Sequence, residues 1–154
     1  MRVFISYSAQ EDQVIALRLQ TLASVYGFQA FVPPATTRAR SAVQRLHLSI
    51  QQEIRHSDLV LAVVNHTPSN SAIAELNYAS SLQKMVVPIV SPWVDQNFLE
   101  SFPKAFVIDP RDPSRVESEL LEFLHEKKAS RETTNAAVGL TALIVGMLLL
   151  SKTK

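Results

Sequence analysis

The chain has 154 residues, 47% of them hydrophobic and 19% charged, a balance that supports one globular domain with a real core. Fifteen Lys and Arg against fourteen Asp and Glu leave a formal charge of +1 with no basic stripe, so nucleic acid is not an expected partner. The absence of cysteine excludes disulfides, thiolate nucleophiles and Cys-ligated metals, and the four histidines (His47, His56, His66, His125) lack ligand spacing, so no metal is expected.

Arg2 to Ser6 reads as a buried strand that opens the chain without a basic-then-apolar leader, so the folded domain is expected in the cytoplasm. A helix follows with Ile15, Leu19, Leu22 and Tyr26 on one face, and Gly27 is placed to stop it. A second strand, Phe28 to Val32, ends at Pro33-Pro34, and Ala35 to Arg40 read as a loop. The next helix turns Val43, Leu46, Ile50 and Ile54 inward. Leu59 to Val64 is a continuous apolar run, short enough to be a strand buried on both faces, and is expected at the sheet centre. A helix near Ala72 to Gln83, a strand Met85 to Val90, a short helix near Val94 to Ser101, a strand Ala105 to Ile108 and a helix near Pro113 to Lys127 complete the series.

Strand and helix alternate throughout, which predicts a flavodoxin-like α/β fold: a five-stranded parallel sheet of order 2-1-3-4-5 with helices on both faces and right-handed crossovers. Such sheets bind ligands outside the carboxyl ends of the strands, where the strand order reverses. That rule points to Ser6 to Asp12, to the loop after Val32, and to Asn65 to Glu75.

The C-terminal residues 136 to 150 carry one hydroxyl and no charge. A helix apolar all round belongs in a core or in lipid, and the charged side chains of Glu126, Lys127, Lys128, Arg131 and Glu132 separate this one from the domain. The expected map is a domain at 1–128, a charged linker at 129–134 and a membrane-spanning helix at 135–151, with Lys152 and Lys154 as far-side anchors. At about 25 Å the span is near the short limit for a hydrocarbon core of about 30 Å, and a helix docked on protein is the alternative. Ala142 and Gly146 put small residues on one face, where helices can pair closely.

Val3-Phe4-Ile5-Ser6-Tyr7-Ser8, with Asp12 beyond it, resembles the opening of Toll/interleukin-1 receptor (TIR) domains. Ile54 to Val64 is similar to the central strand entry of that family, and Ser69 to Ala79 to the segment carrying its glutamate helix. The resemblance implies a prokaryotic-type enzyme that takes NAD as substrate, with no further cofactor. It would cleave the nicotinamide–ribose bond to linear or cyclised ADP-ribose in antiphage defence, and would assemble with other TIR domains as a homo-oligomer. Glu75 matches the catalytic glutamate, although many members carry an aromatic residue four positions before it, where this chain has Ser71. A non-enzymatic adaptor is the rival reading. Ser71 to Ala79 also resembles the glutamate helix of nucleoside 2-deoxyribosyltransferases, although the Ser6-Tyr7-Ser8 turn argues against them.

The chemistry gives Glu75 a reason of its own. Departure of the base leaves an oxocarbenium-like ribose, whose positive charge a carboxylate beneath the sugar stabilises. Glu75 lies four residues after Ser71 and five after Asn70, the wrong spacing for a capping box, so favouring the helix N-terminus is its remaining structural reading. Ser6, Tyr7 and Ser8 are candidates to line a nucleotide pocket, with Ser8 or Asp12 alternatively capping the first helix. Arg38 and Arg40 are placed to meet a diphosphate or to be solvated loop charges. Asn65 and Ser71 are candidate ribose or nicotinamide contacts, or ordinary loop formers. Trp93 is read as covering the sheet edge, with stacking on a base as the alternative.

Overall fold

The computed structural model describes residues 1–39, 45–109 and 111–151, with the side chains of 134–151 left out. The elements run β1 (Arg2–Tyr7), α1 (Gln10–Val25), β2 (Gln29–Phe31), α2 (Ala35–Ala39), α3 (Leu48–His56), β3 (Leu59–Val64), α4 (Asn70–Ser81), β4 (Met85–Val90), α5 (Gln96–Leu99), β5 (Phe106–Val107) and α6 (Pro113–Ser151). The five strands form one parallel sheet of order β2-β1-β3-β4-β5, the predicted order. Every residue of β3 is buried, as its unbroken apolar run requires of a central strand covered on both faces.

Alternation along the strands divides the core. Phe4, Val60, Ala62 and Val86 face Ile50 and Ile54 of α3 and Leu76 and Ala79 of α4. On the opposite face Ile89 meets Ile15 and Leu19 of α1 and Val116 in the first turns of α6, around a small apolar cavity of about 150 Å3. The buried stripe of α1 is Asp12, Ala16, Leu19 and Ala23, and Tyr26 is exposed, so the helix is rotated from the face that large apolar residues alone suggested. Two alanines make the difference, because small side chains let the helix sit close to the sheet. The run Ala35 to Ala39 is the short helix α2 where a loop was expected. Helix α3 starts at Leu48 rather than before Val43; Val43 lies outside the described residues, and the His47 ring accepts from the Ser49 amide at the helix start.

Both α1 and α4 end in the same hydrogen-bonded turn. In α1, Phe28 N–H donates to the Ala23 carbonyl and Gly27 N–H to the Ser24 carbonyl. In α4, Lys84 N–H donates to Ala79 and Gln83 N–H to Ser80. The turn needs a left-handed residue, Gly27 at φ 81° in the first and Gln83 at φ 56° in the second. Gly27→Ala should therefore destabilise the chain by about 1–2 kcal/mol from backbone conformation alone, since a Cβ there meets nothing within 4 Å. Gln83→Gly should act in the opposite direction, and paired urea denaturation curves check both signs.

The chain divides into two compact units, Met1–Ser118 and Glu119–Lys154. The second lies on α6, which runs as one helix through residues 129–134 and on to Ser151. The expected membrane span at 135–151 is corrected: among the described residues no helix is long and apolar enough to cross a membrane. The uncharged run of residues 136–150 would extend only about 22 Å at helical rise, short of about 30 Å of hydrocarbon, and it continues from turns rich in charge. The side chains of that run lie outside the described residues. The single-pass membrane location and the membrane as partner fall with the span.

Candidate active site

One strand and two helices meet at the carboxyl end of the sheet where β1 and β3 lie side by side, and each contributes one part of a buried polar cluster. From β1 comes Ser6, fully buried, whose Oγ donates to Oε2 of Glu75 at 2.5 Å. Helix α4 supplies Glu75 itself, with 0% of its surface exposed. Helix α2 supplies Arg38, 7% exposed, whose Nε donates to Glu75 Oε1 at 2.8 Å and whose Nη2 lies 3.4 Å from Oε2. The Arg38 guanidinium also lies over the Tyr7 ring, 4.1 Å from its centroid, a cation–π contact. Tyr7 is held in turn by its hydroxyl, which donates to the Pro33 carbonyl at 3.1 Å.

The positions follow from local structure. Ser69 caps α4 by accepting from the Ala72 amide, and Ser8 accepts from the Ser69 amide at 3.0 Å, which ties the β1 turn to the start of α4. Ser8 therefore does not cap α1; the Ala9 amide is taken by Asp12 Oδ2 at 2.9 Å. With Ser69 as cap, Glu75 stands in the second turn of α4, too deep to serve the helix terminus. Its carboxylate projects instead onto the sheet face, one helix turn before Ala79 in the core.

Beside this cluster is a cavity of about 460 Å3 whose wall includes Tyr7, Ser8, Gln10, Gln13, Arg38 and Ser71. Four of the expected ligand-binding residues (Tyr7, Ser8, Arg38, Ser71) are thus brought together on one wall. Ser6 lies behind them, bonded to Glu75. Asn65 is half-buried and absent from the wall, and its carbonyl accepts from the Ser91 hydroxyl. Arg40 lies outside the described residues. Trp93, expected to cover the sheet edge, is 68% exposed and covers little. Gln10 and Gln13 were not anticipated as lining residues; two amides one turn apart at the start of the first helix are a signal that loop-based reading passes over. A cavity of similar size, about 480 Å3, is lined by Arg45, Leu46, Gln51, Ile73 and Tyr78, and neither Glu75 nor any residue bonded to it reaches that wall.

Burial pushes the Glu75 carboxyl above the usual carboxylate range; the Arg38 charge, the Ser6 hydrogen bond and the Arg38 hydrogen bond each oppose this without cancelling it. In the window between the ordinary carboxylate value and the raised one, the folded state binds more protons, so stability falls as pH rises. Denaturant midpoints of the wild type and Glu75→Gln, compared from about pH 4 to about pH 8, should show the wild type losing ground to the variant as pH rises. A difference independent of pH would contradict the raised value.

No family model matches the chain, and no curated protein matches it. Among solved structures it is similar to the Clostridium botulinum CMP N-glycosidase BcmB, with a TM-score of 0.54 and 16% identity over 80% of this chain and 99% of that one. The likeness establishes the fold. The resemblance to TIR domains is corrected: no family model supports it, and the solved structure whose fold this chain shares is an N-glycosidase and not a TIR domain. With the TIR reading go its consequences for this chain: NAD as partner, TIR–TIR assembly and antiviral signalling.

Proposed function

We propose that this chain is an enzyme that breaks the bond between a base and the anomeric carbon of a nucleoside or nucleotide, with Glu75 as its catalytic carboxylate. The observation that carries the reading is a single carboxylate, sealed from solvent at the sheet's switch point, fixed by Ser6 and Arg38 beside a cavity large enough for a nucleoside. Burial of this kind strengthens the attraction between a carboxylate and a developing sugar cation. As the C1′–N bond breaks, its electron pair leaves with the base. Water then adds its oxygen to C1′, and the proton it sheds ends on the base. If a second base takes the place of water, the same site performs transfer. Fold likeness to a protein that acts on CMP supports this substrate class.

Ser6 acts as a positioning residue, holding Oε2 so that the carboxylate keeps one orientation. Tyr7, Ser8, Gln10, Gln13 and Ser71 are the groups available to bind sugar and base.

A structural role for Glu75 is the competing reading, favoured by one observation: Arg38, and not Glu75, forms the cavity wall. The full chain, incubated with a panel of nucleosides and their 5′-monophosphates, decides between them by chromatography of released base. Release from at least one member supports the enzyme. No release across the panel, with and without an acceptor base, favours the structural role.

A further inference from the structure

The carboxylate assigned to the sugar cannot reach it in the observed arrangement. Both Glu75 oxygens are engaged, Oε1 by Arg38 Nε and Oε2 by Ser6 and Arg38 Nη2, and Arg38 lines the cavity wall while Glu75 does not. A fixed positive group at that place opposes formation of a sugar cation beside it, because like charges repel most strongly where water is excluded. Arg38 must move before the site can work. The structure gives it somewhere to go.

We propose that Arg38 is an anion-operated latch on Glu75: a phosphate-class group entering the cavity draws the guanidinium off the carboxylate, and the sugar takes the vacated place. The inference rests on the function proposed above and deepens it by stating what opens the site. Three features carry it. The two bonds to Glu75 are unequal, 2.8 Å and 3.4 Å, so the grip is firm at Nε and loose at Nη2. Arg38 Nη1 has no hydrogen-bond partner among the described residues, and the side chain lines the cavity although it is nine-tenths buried. Around it the wall is rich in donors: Ser8, whose oxygen accepts from Ser69, the amides of Gln10 and Gln13, and Ser71; among the described residues no acidic side chain is on that wall. Arginine matches a phosphate with paired donors as well as it matches a carboxylate. The Tyr7 face beneath the guanidinium provides a surface across which it can turn without losing its cation–π contact.

The exchange preserves charge balance. Before it, Arg38 neutralises Glu75; after it, Arg38 neutralises the phosphate, and the forming sugar cation neutralises Glu75. A 5′-phosphate on the substrate and free phosphate offer the same chemistry, and the test separates them. The full chain is assayed for base release from a nucleoside, from the same nucleoside with inorganic phosphate, and from its 5′-monophosphate. The latch predicts that inorganic phosphate speeds nucleoside cleavage about tenfold or more and competes against the monophosphate. In Arg38→Gln, nucleoside and monophosphate should be cleaved within a few-fold of each other, with no response to phosphate. Equal rates in the wild type with no phosphate response, or a preference that persists in Arg38→Gln, would overturn the latch.

A second measurement needs neither activity nor an Arg38 variant. Carboxyl-labelled glutamate gives a carbon resonance for Glu75, identified by its loss in Glu75→Gln, and inorganic phosphate should shift it in the wild type. Phosphate that does not bind, or binds without moving that signal, sinks the latch. Absence of base release from every compound would sink the proposed function, while the resonance still decides the latch.

Discussion

Glu75→Gln should lower the rate of base release by roughly a hundred- to thousandfold while leaving the fold intact. Gln fills the same space in α4 and its amide oxygen can accept from Ser6 or Arg38, so the packing of Leu76 and Ala79 around it has no reason to change, although Arg38 loses its counter-charge and some stability goes with it. What disappears is the negative charge, and the developing sugar cation is the only species in the reaction that needs it. The loss should therefore fall on kcat, with substrate binding changed only slightly. A carboxylate that merely braces the helix would give another pattern, with kcat per folded molecule preserved; stability falls in either case, because Arg38 loses its buried counter-charge. Steady-state kinetics on the two proteins, normalised to folded protein by near-UV circular dichroism, separates these outcomes.

Arg38→Met should show the largest loss of stability. It leaves the Glu75 carboxylate buried without its counter-charge, a situation that costs about 3–5 kcal/mol. The cost is not fixed, because Glu75 can escape it by taking up a proton. The destabilisation should therefore shrink at acid pH, where the unpaired carboxyl is already neutral. The double variant, Arg38→Met with Glu75→Gln, removes both charges and should recover much of the lost stability. Its coupling energy, about 1–3 kcal/mol for groups in direct contact, is read from a double-mutant cycle of urea midpoints. Additive effects would mean that the pair seen at 2.8 Å contributes nothing in solution.

The order of elements was legible because hydrophobic period and turn residues agree along most of the chain. Leu59 to Val64 could only be a central strand, and Gly27 could only end a helix. Other features could not be read. Helix α2 spans only Ala35–Ala39 directly after two prolines, too short for any periodic signal. The face of α1 is set by Ala16 and Ala23, which weigh little in a hydrophobic pattern although both are buried.

Glu75 was recognisable from its position near the strand reversal and from its mismatch with capping. Its ties were not. Sequence alone marks Ser6 and Arg38 as ligand contacts; in the fold both also hold Glu75, across sequence separations of 69 and 37 residues. Only the sheet order and the placement of α2 create that meeting. The family resemblance rested on a few short segments, Val3 to Ser8, Ile54 to Val64 and Ser69 to Ala79, and segments that short do not fix a family when the rest of the chain matches no family model.

The most direct test of the central claim is a crystal structure of Glu75→Gln with an uncleaved nucleoside 5′-monophosphate bound. The account predicts the sugar in the cavity beside Tyr7, with C1′ roughly 3.5 Å from the side chain at position 75. A ligand seated elsewhere, or one in the cavity with its anomeric carbon turned away from position 75, would contradict it.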